Sequence, residues 1–166
     1  RVWGNAASVL VGDFLYSKSF RLLTEYGNLD IIKLLSATTN TMSEGEVLQL
    51  VKRGDVGITE ADYLSIIDKK TAVLISAACA LGGHLGEAME SRIEALAQFG
   101  LRVGAAFQMT DDTLDYVARE DEFGKAIGKD LEEGKLTLPL IRTLAQCSEE
   151  EKSRLQELLS RKERDR

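Results

Sequence analysis

The sequence predicts an all-α fold, an antiparallel bundle of long helices forming one domain over residues 1–166. Three observations predict it. Pro139 is the single proline of the chain, and proline is excluded from helix interiors because its ring removes a backbone donor and collides with the preceding turn. Apolar residues recur at spacings of three and four, the period of a helix with one buried face. With 44% hydrophobic residues, a chain of 166 residues fills one core and does not suffice for two independent ones.

The elements follow in order. A first helix runs from about Asn5 to Tyr26 and ends at Gly27-Asn28, a pair suited to a left-handed cap. A second starts after Asn28 and continues through Ile31, Leu35, Met42 and Val47 to Arg53-Gly54-Asp55. Thr59, with Asp62 three residues on, opens a third as a relative of the capping box, and that helix runs to Gly82-Gly83. A fourth extends from Glu87–Ser91 to about Val117. Ala118 to Lys135 is charged and punctuated by glycine, a loop of the length at which lids and binding segments are found. A short helix from Leu138 to Gln146 and a last one capped by Ser148 with Glu151 complete the chain.

The formal net charge of -6 argues against a nucleic-acid surface, which needs lysine and arginine to displace phosphate counterions. Any phosphate recognition must be local. Cys79 and Cys147 form no CxxC pair, so neither a zinc site nor a disulfide framework is indicated, and a reducing, cytoplasmic setting is expected. The longest apolar stretches, Ala6 to Leu15 and Ala72 to Leu81, are too short to span a bilayer. The start, Arg1-Val2-Trp3-Gly4-Asn5, has no methionine and no signal-peptide layout, and reads as the middle of something longer.

Chemistry concentrates in Phe107-Gln108-Met109-Thr110-Asp111-Asp112-Thr113-Leu114-Asp115. On a helix Asp111 and Asp115 share a face one turn apart, and Asp112 flanks them. The same face carries Ala97, Gly100 and Gly104, small residues that leave room beside it. Three carboxylates so close repel one another and call for a cation; oxygen donors without histidine or cysteine favour Mg²⁺, which takes one or two carboxylates and completes its shell with water and phosphate. The plain alternative is a solvated acidic patch. The segment after it, Gly124-Lys125-Ala126-Ile127-Gly128-Lys129 through Gly134-Lys135, alternates lysine, suited to phosphate, with glycine, which lets the backbone approach it. Upstream, Lys69-Lys70-Thr71 places ammonium and hydroxyl groups in a helix that then turns apolar.

Together these residues resemble the trans-polyprenyl diphosphate synthases, isoprenyl diphosphate synthases of the medium- and long-chain type. Phe107 to Tyr116 resembles their second aspartate-rich motif, Gly124 to Ile141 the segment after it, and Asp68-Lys69-Lys70-Thr71 their Lys-Thr motif. Glu44 to Gln49, and Gly4-Asn5-Ala6-Ala7 with Gly12-Asp13, are similar to two further helices. The resemblance implies the isoprenoid synthase type of helical bundle and an enzyme that condenses isopentenyl diphosphate with an allylic diphosphate. It implies that Asp111, Asp112 and Asp115 hold Mg²⁺, that Lys70, Lys125, Lys129 and Lys135 neutralise diphosphate oxygens, and that Thr71 and Gln108 add hydrogen bonds. Catalytic roles then fall to Lys70, Thr71 and Gln108, and the partner is a second copy of the chain or a different subunit. The family also carries a first aspartate-rich motif followed by paired arginines, which these residues lack. The expectation is therefore a domain incomplete at its N-terminus, holding half of a magnesium site and inactive alone.

Other residues are read as builders. Asp13 is expected to be a partnered structural aspartate and His84 a loop residue after Gly82-Gly83. Trp3, Phe14, Tyr16 and Phe20 indicate core or subunit packing, the resemblance favouring a dimer interface. Glu46 and Gln49 share a face with Thr39 and Met42 and look either into a cavity or into solvent. A non-catalytic partner of a heteromeric synthase and a purely structural bundle are the alternatives.

Overall fold

The structure, a computed structural model, describes residues 4–117 and 128–164, with side chains through residue 159. Among the described residues every regular element is helical. The chain divides into two compact units, Arg1–Ala37 and Thr38–Arg166.

In the first unit, α1 (Gly4–Tyr26) stops where Gly27 turns left-handed at φ 73°, and the Gly27 amide donates to the Leu23 carbonyl. The next helix, α2 (Leu29–Val51), starts where the Asn28 Oδ1 accepts the amides of Asp30 and Ile31 at 3.0 and 3.1 Å. That satisfies two of the donors every helix start leaves free. No α1 residue is buried: Phe14 is 65% and Tyr16 55% exposed, which removes a core role within this chain. Asp13 is exposed too and makes no ion pair or side-chain hydrogen bond among the described residues, contrary to the expected structural partnership. Trp3 lies outside the described residues.

In the second unit, α3 (Glu60–Ile67) opens with the predicted box: Thr59 Oγ1 accepts the Asp62 amide at 3.1 Å and Asp62 Oδ2 accepts the Thr59 amide at 3.0 Å. The helical run continues through a π-helical turn, Asp68–Ala72, into α4 (Val73–Leu85). Gly82-Gly83 does not end this helix. Gly83 is buried, and a Cβ there would stand 3.0 Å from Ile93 Cγ1 and 3.2 Å from Leu96 Cδ1, so the glycine serves close approach. His84 consequently sits in the last turn of α4, not in a loop.

The long α5 (Glu90–Val117) lies against α4 along its small-residue face. A Cβ on Gly100 would meet the Ile75 carbonyl oxygen at 2.7 Å, and one on Gly104 would meet Ala72 Cα at 2.6 Å. The room those residues leave is filled by the neighbouring helix, and Ser76 Oγ ties the seam by donating to the Ala97 carbonyl at 2.8 Å. Beyond it come a single turn, α6 (Lys129–Glu132), then α7 (Leu138–Leu144) with Pro139 in its first turn, and α8 (Glu149–Arg164), capped by Ser148 and Glu151 as expected. Ile58, Tyr63, Ile66 and Ile67 pack with Leu136, Ile141, Leu144 and Leu159. Each large apolar side chain so buried contributes about 1.5–3 kcal/mol, and together they hold α3 and the 134–137 segment against the acidic end of α5.

Candidate functional site

A pocket of about 130 Å³ opens within the second unit, lined from α2 and the turn after it, from α3 and its π turn, from the end of α5, and from the segment 130–137. The π turn matters for its placement. It carries Lys69, Lys70 and Thr71, and Gly45 on α2 lets it come close: a Cβ at Gly45 would stand 2.8 Å from the Lys70 amide nitrogen. A π turn widens the helix by one residue and changes which side chains face a neighbour.

A continuous relay crosses the pocket. Thr71 Oγ1 donates to Gln108 Oε1 at 2.9 Å, Gln108 Nε2 donates to Asp112 Oδ1 at 2.8 Å, and Tyr63 Oη donates to Asp112 Oδ2 at 2.7 Å. Both Asp112 oxygens are thereby engaged inside the protein, and the residue is buried. Burial raises the Asp112 carboxyl above the usual carboxylate range; the bonds from Tyr63 and Gln108 oppose that rise, and the charges of Asp130 and Asp111 reinforce it. Burial likewise lifts the Tyr63 phenol, helped by its bond to Asp112, so it stays a donor at any ordinary pH.

The three acidic residues therefore have three different environments. Asp111 is exposed, lines the pocket and has no partner among the described residues. Asp112 anchors the relay. Asp115 does not line the pocket; its Oδ1 and Oδ2 accept the amides of Lys129 and Asp130 at 3.3 and 3.0 Å, holding the start of α6. The structure does not gather them as one group: among the described residues no three acidic, histidine or cysteine side chains are arranged to hold a metal together.

The lysines sort similarly. Lys70 lines the pocket, its Nζ 3.1 Å from Glu46 Oε1 and 2.6 Å from Gln49 Oε1. Lys135 lines it as well, 2.7 Å from Glu133 and 3.4 Å from Asp130. Burial works against the Lys135 charge, but Glu133 and Asp130 outweigh it and its pKa is raised. Lys129 contributes its amide to Asp115, while its side chain is not among those lining the pocket. Lys125 lies outside the described residues. Gln49 faces the cavity, the first of its two expected orientations, and Glu46 reaches Lys70.

Tyr63, Arg53, Asp130 and Thr137 also line the pocket and are not among the site residues expected from the sequence. Tyr63 had a signal: it precedes Lys70 by seven residues, close to two helical turns, as a lone tyrosine on an aliphatic face. Arg53 and Asp130 had none, since each comes to the pocket from a turn.

A family model described as Polyprenyl synthetase matches residues 1–166. The chain is 44% identical over 142 residues to the octaprenyl diphosphate synthase of Escherichia coli (strain K12), covering 86% of this chain and 44% of that protein. Among solved structures it is similar to a decaprenyl diphosphate synthase from Rhodobacter capsulatus, with a TM-score of 0.84 and 42% identity over 93% of this chain and 48% of that one. It is also similar to a polyprenyl synthase from Caulobacter crescentus CB15 complexed with calcium and isoprenyl diphosphate, with a TM-score of 0.81 and 36% identity over 97% of this chain and 54% of that one. The chain thus spans about half the length of the relatives it matches.

Proposed function

This chain belongs to the polyprenyl synthetase family, and we propose that it supplies the diphosphate-binding side of a prenyltransferase joining isopentenyl diphosphate to an allylic diphosphate and elongating a trans-prenyl chain. The observation that carries this is the meeting, in one pocket, of Asp111, exposed and without a partner among the described residues, with the ordered Thr71–Gln108–Asp112–Tyr63 relay and the cations Lys70 and Lys135.

The residues fit a magnesium ion. One free carboxylate facing solvent is the type of ligand set Mg²⁺ accepts, because the ion keeps water and substrate phosphate in its remaining positions. Asp111 would hold it, with Asp112 behind as the anchor that orients this turn of α5. When bound, the ion supplies charge neutralisation to the departing diphosphate, a role that commonly dominates such catalysis. Lys70 and Lys135 line the same pocket, and each ammonium keeps a third hydrogen to share with the diphosphate oxygens beside its present acceptors Glu46 and Gln49, or Glu133 and Asp130. The Thr71 hydroxyl and the Gln108 amide fix the edge of the π turn, so Lys70 keeps its direction.

The Mg²⁺ assignment, the role of Asp115 in holding the following turn and the diphosphate contacts of Lys125 and Lys129 all belong to this proposal. So does assembly with a second copy, supported by the exposed Val9, Leu10, Phe14 and Leu15 of α1 and checked by light scattering. No helix among the described residues is long and apolar enough to cross a membrane, and Cys79 and Cys147 are free thiols, as a cytoplasmic enzyme would keep them. Titration calorimetry with inorganic pyrophosphate tests the central claim. Saturable binding that requires Mg²⁺ and is lost in Asp111→Ala is expected; binding that ignores Mg²⁺, or none at all, would overturn it.

A further inference from the structure

We infer that Arg53 is a further diphosphate-binding residue of this pocket, the cation that meets a diphosphate carried with its metal; this rests on the diphosphate reading above. The residue follows the end of α2, and its position is built with care. The Gly54 amide donates to the Gly134 carbonyl at 2.9 Å, joining the turn after α2 to the turn before Lys135. Gly134 is left-handed at φ 77°, and a Cβ there would stand 3.1 Å from both Cγ and Nε of Arg53. A side chain at that backbone angle would be strained, and its Cβ would push the Arg53 stem aside. The arginine stem therefore lies across Gly134, which directs the side chain into the pocket beside Lys135.

Arg53 differs from the other cations that line this cavity. Lys52 is 3.2 Å from Asp62, Lys70 is 3.1 Å from Glu46, and Lys135 is 2.7 Å from Glu133. Arg53 has no acidic partner among the described residues, and its Nε is buried without a hydrogen-bond acceptor. The Nε is enclosed against Gly134, so an arriving acceptor meets the outer guanidinium nitrogens, which hold no acceptor among the described residues that it would have to displace. The guanidinium fork matches two phosphate oxygens at once, which an ammonium does not.

The pocket contains a second uncommitted charge, the Asp111 carboxylate, of opposite sign. The two do not pair with each other. A bare anion would be drawn to Arg53 and repelled by Asp111; a bare cation would meet the reverse. A ligand that brings both charges, a diphosphate chelating a divalent ion, satisfies both residues at once.

The test uses the whole 166-residue chain, with Mg²⁺ and inorganic pyrophosphate in the calorimeter. Arg53→Met is expected to weaken pyrophosphate binding about tenfold or more, the loss of one charge-assisted contact, with Arg53→Lys between the two. Repeating the titrations with geranyl diphosphate and with isopentenyl diphosphate identifies the substrate whose diphosphate Arg53 takes by the affinity that falls. If the unsubstituted chain binds and Arg53→Met binds equally well in all three, the inference is overturned while the diphosphate reading stands. If the unsubstituted chain fails to bind at all, both fall. Should Arg53→Met not fold, the unsubstituted chain decides the matter by arginine-directed dicarbonyl labelling and peptide mass spectrometry: Mg²⁺-pyrophosphate should protect Arg53, and unchanged labelling would overturn the inference.

Discussion

Replacing Tyr63 by phenylalanine removes one atom from the centre of the relay. The phenol donates at 2.7 Å to the side chain of Asp112, a residue that is 5% exposed, and the only other side-chain donor to it among the described residues is Gln108. A hydrogen bond to a charged group contributes about 1.5–3 kcal/mol, and one to a neutral group about 0.5–1.5 kcal/mol. For a chain of this size the larger loss lowers Tm by about 3–12 °C. Its dependence on pH follows from the direction of the Asp112 shift. Burial raises the Asp112 pKa above 3.8, so the folded protein holds that proton more tightly than the unfolded chain. The group's contribution to stability is thus greatest below 3.8 and declines as pH rises through the folded value. Tyr63 opposes the rise; without it the folded value climbs further, and the deficit of the variant grows with pH. Denaturant melts of both chains in chelator, from pH 4 to pH 8, read the difference directly, since other titrating groups are common to both. A deficit near neutrality that shrinks under acid is expected. A deficit that is constant with pH, or absent, would refute the assignment of Tyr63 as the donor that opposes the rise of the Asp112 pKa.

Three further outcomes follow. Gly104→Ala sets a Cβ 2.6 Å from Ala72 Cα, so the α4–α5 seam or the π turn must shift, at about 1–3 kcal/mol by thermal melting, with weaker pyrophosphate binding because Lys70 and Thr71 move with that turn. Asp115→Ala removes the acceptor of the Lys129 and Asp130 amides, and hydrogen exchange at those two positions should accelerate while exchange along α4 stays unchanged. Ser148→Ala breaks the box at the start of α8 and should lower stability by about 0.5–2 kcal/mol without altering pyrophosphate affinity, since no described side chain of α8 lines the pocket.

The helices were legible because their determinants are local. Gly27 and Asn28 end one helix and start the next, Thr59 with Asp62 and Ser148 with Glu151 cap two more, and the apolar spacing carries the rest. What local pattern misread were the glycines, since a glycine at a helix end and one at a helix contact look alike in sequence. Gly82-Gly83 reads as a stop, yet Gly83 faces Ile93 and Leu96; Gly100 and Gly104 suggest open space, yet α4 occupies it. The distinction depends on which helix lies opposite, and that is set by partners distant along the chain. The π turn at Asp68–Ala72 was hidden for a related reason: it moves one residue's worth of register without any residue type that announces it.

At the site, residue type identified the chemistry, but not the division of labour. Spacing makes Asp111, Asp112 and Asp115 near equivalents, and only the elements packed around them tell them apart: Tyr63 on α3 takes Asp112 inward, the amides at the start of α6 take Asp115, and nothing described takes Asp111. The cations follow the same logic, because the acidic partners of Lys70 and Lys52 lie on other stretches of the chain. A charge meets a ligand at full strength only if the protein has not already neutralised it, and that is a property of tertiary pairing. Counting carboxylates and lysines along the chain therefore overstates the number poised to act. Setting aside the groups held by side-chain hydrogen bonds or ion pairs leaves Asp111 and Arg53 as the uncommitted charges lining the pocket among the described residues, one of each sign, which is why a metal-borne diphosphate accounts for the site better than either ion alone.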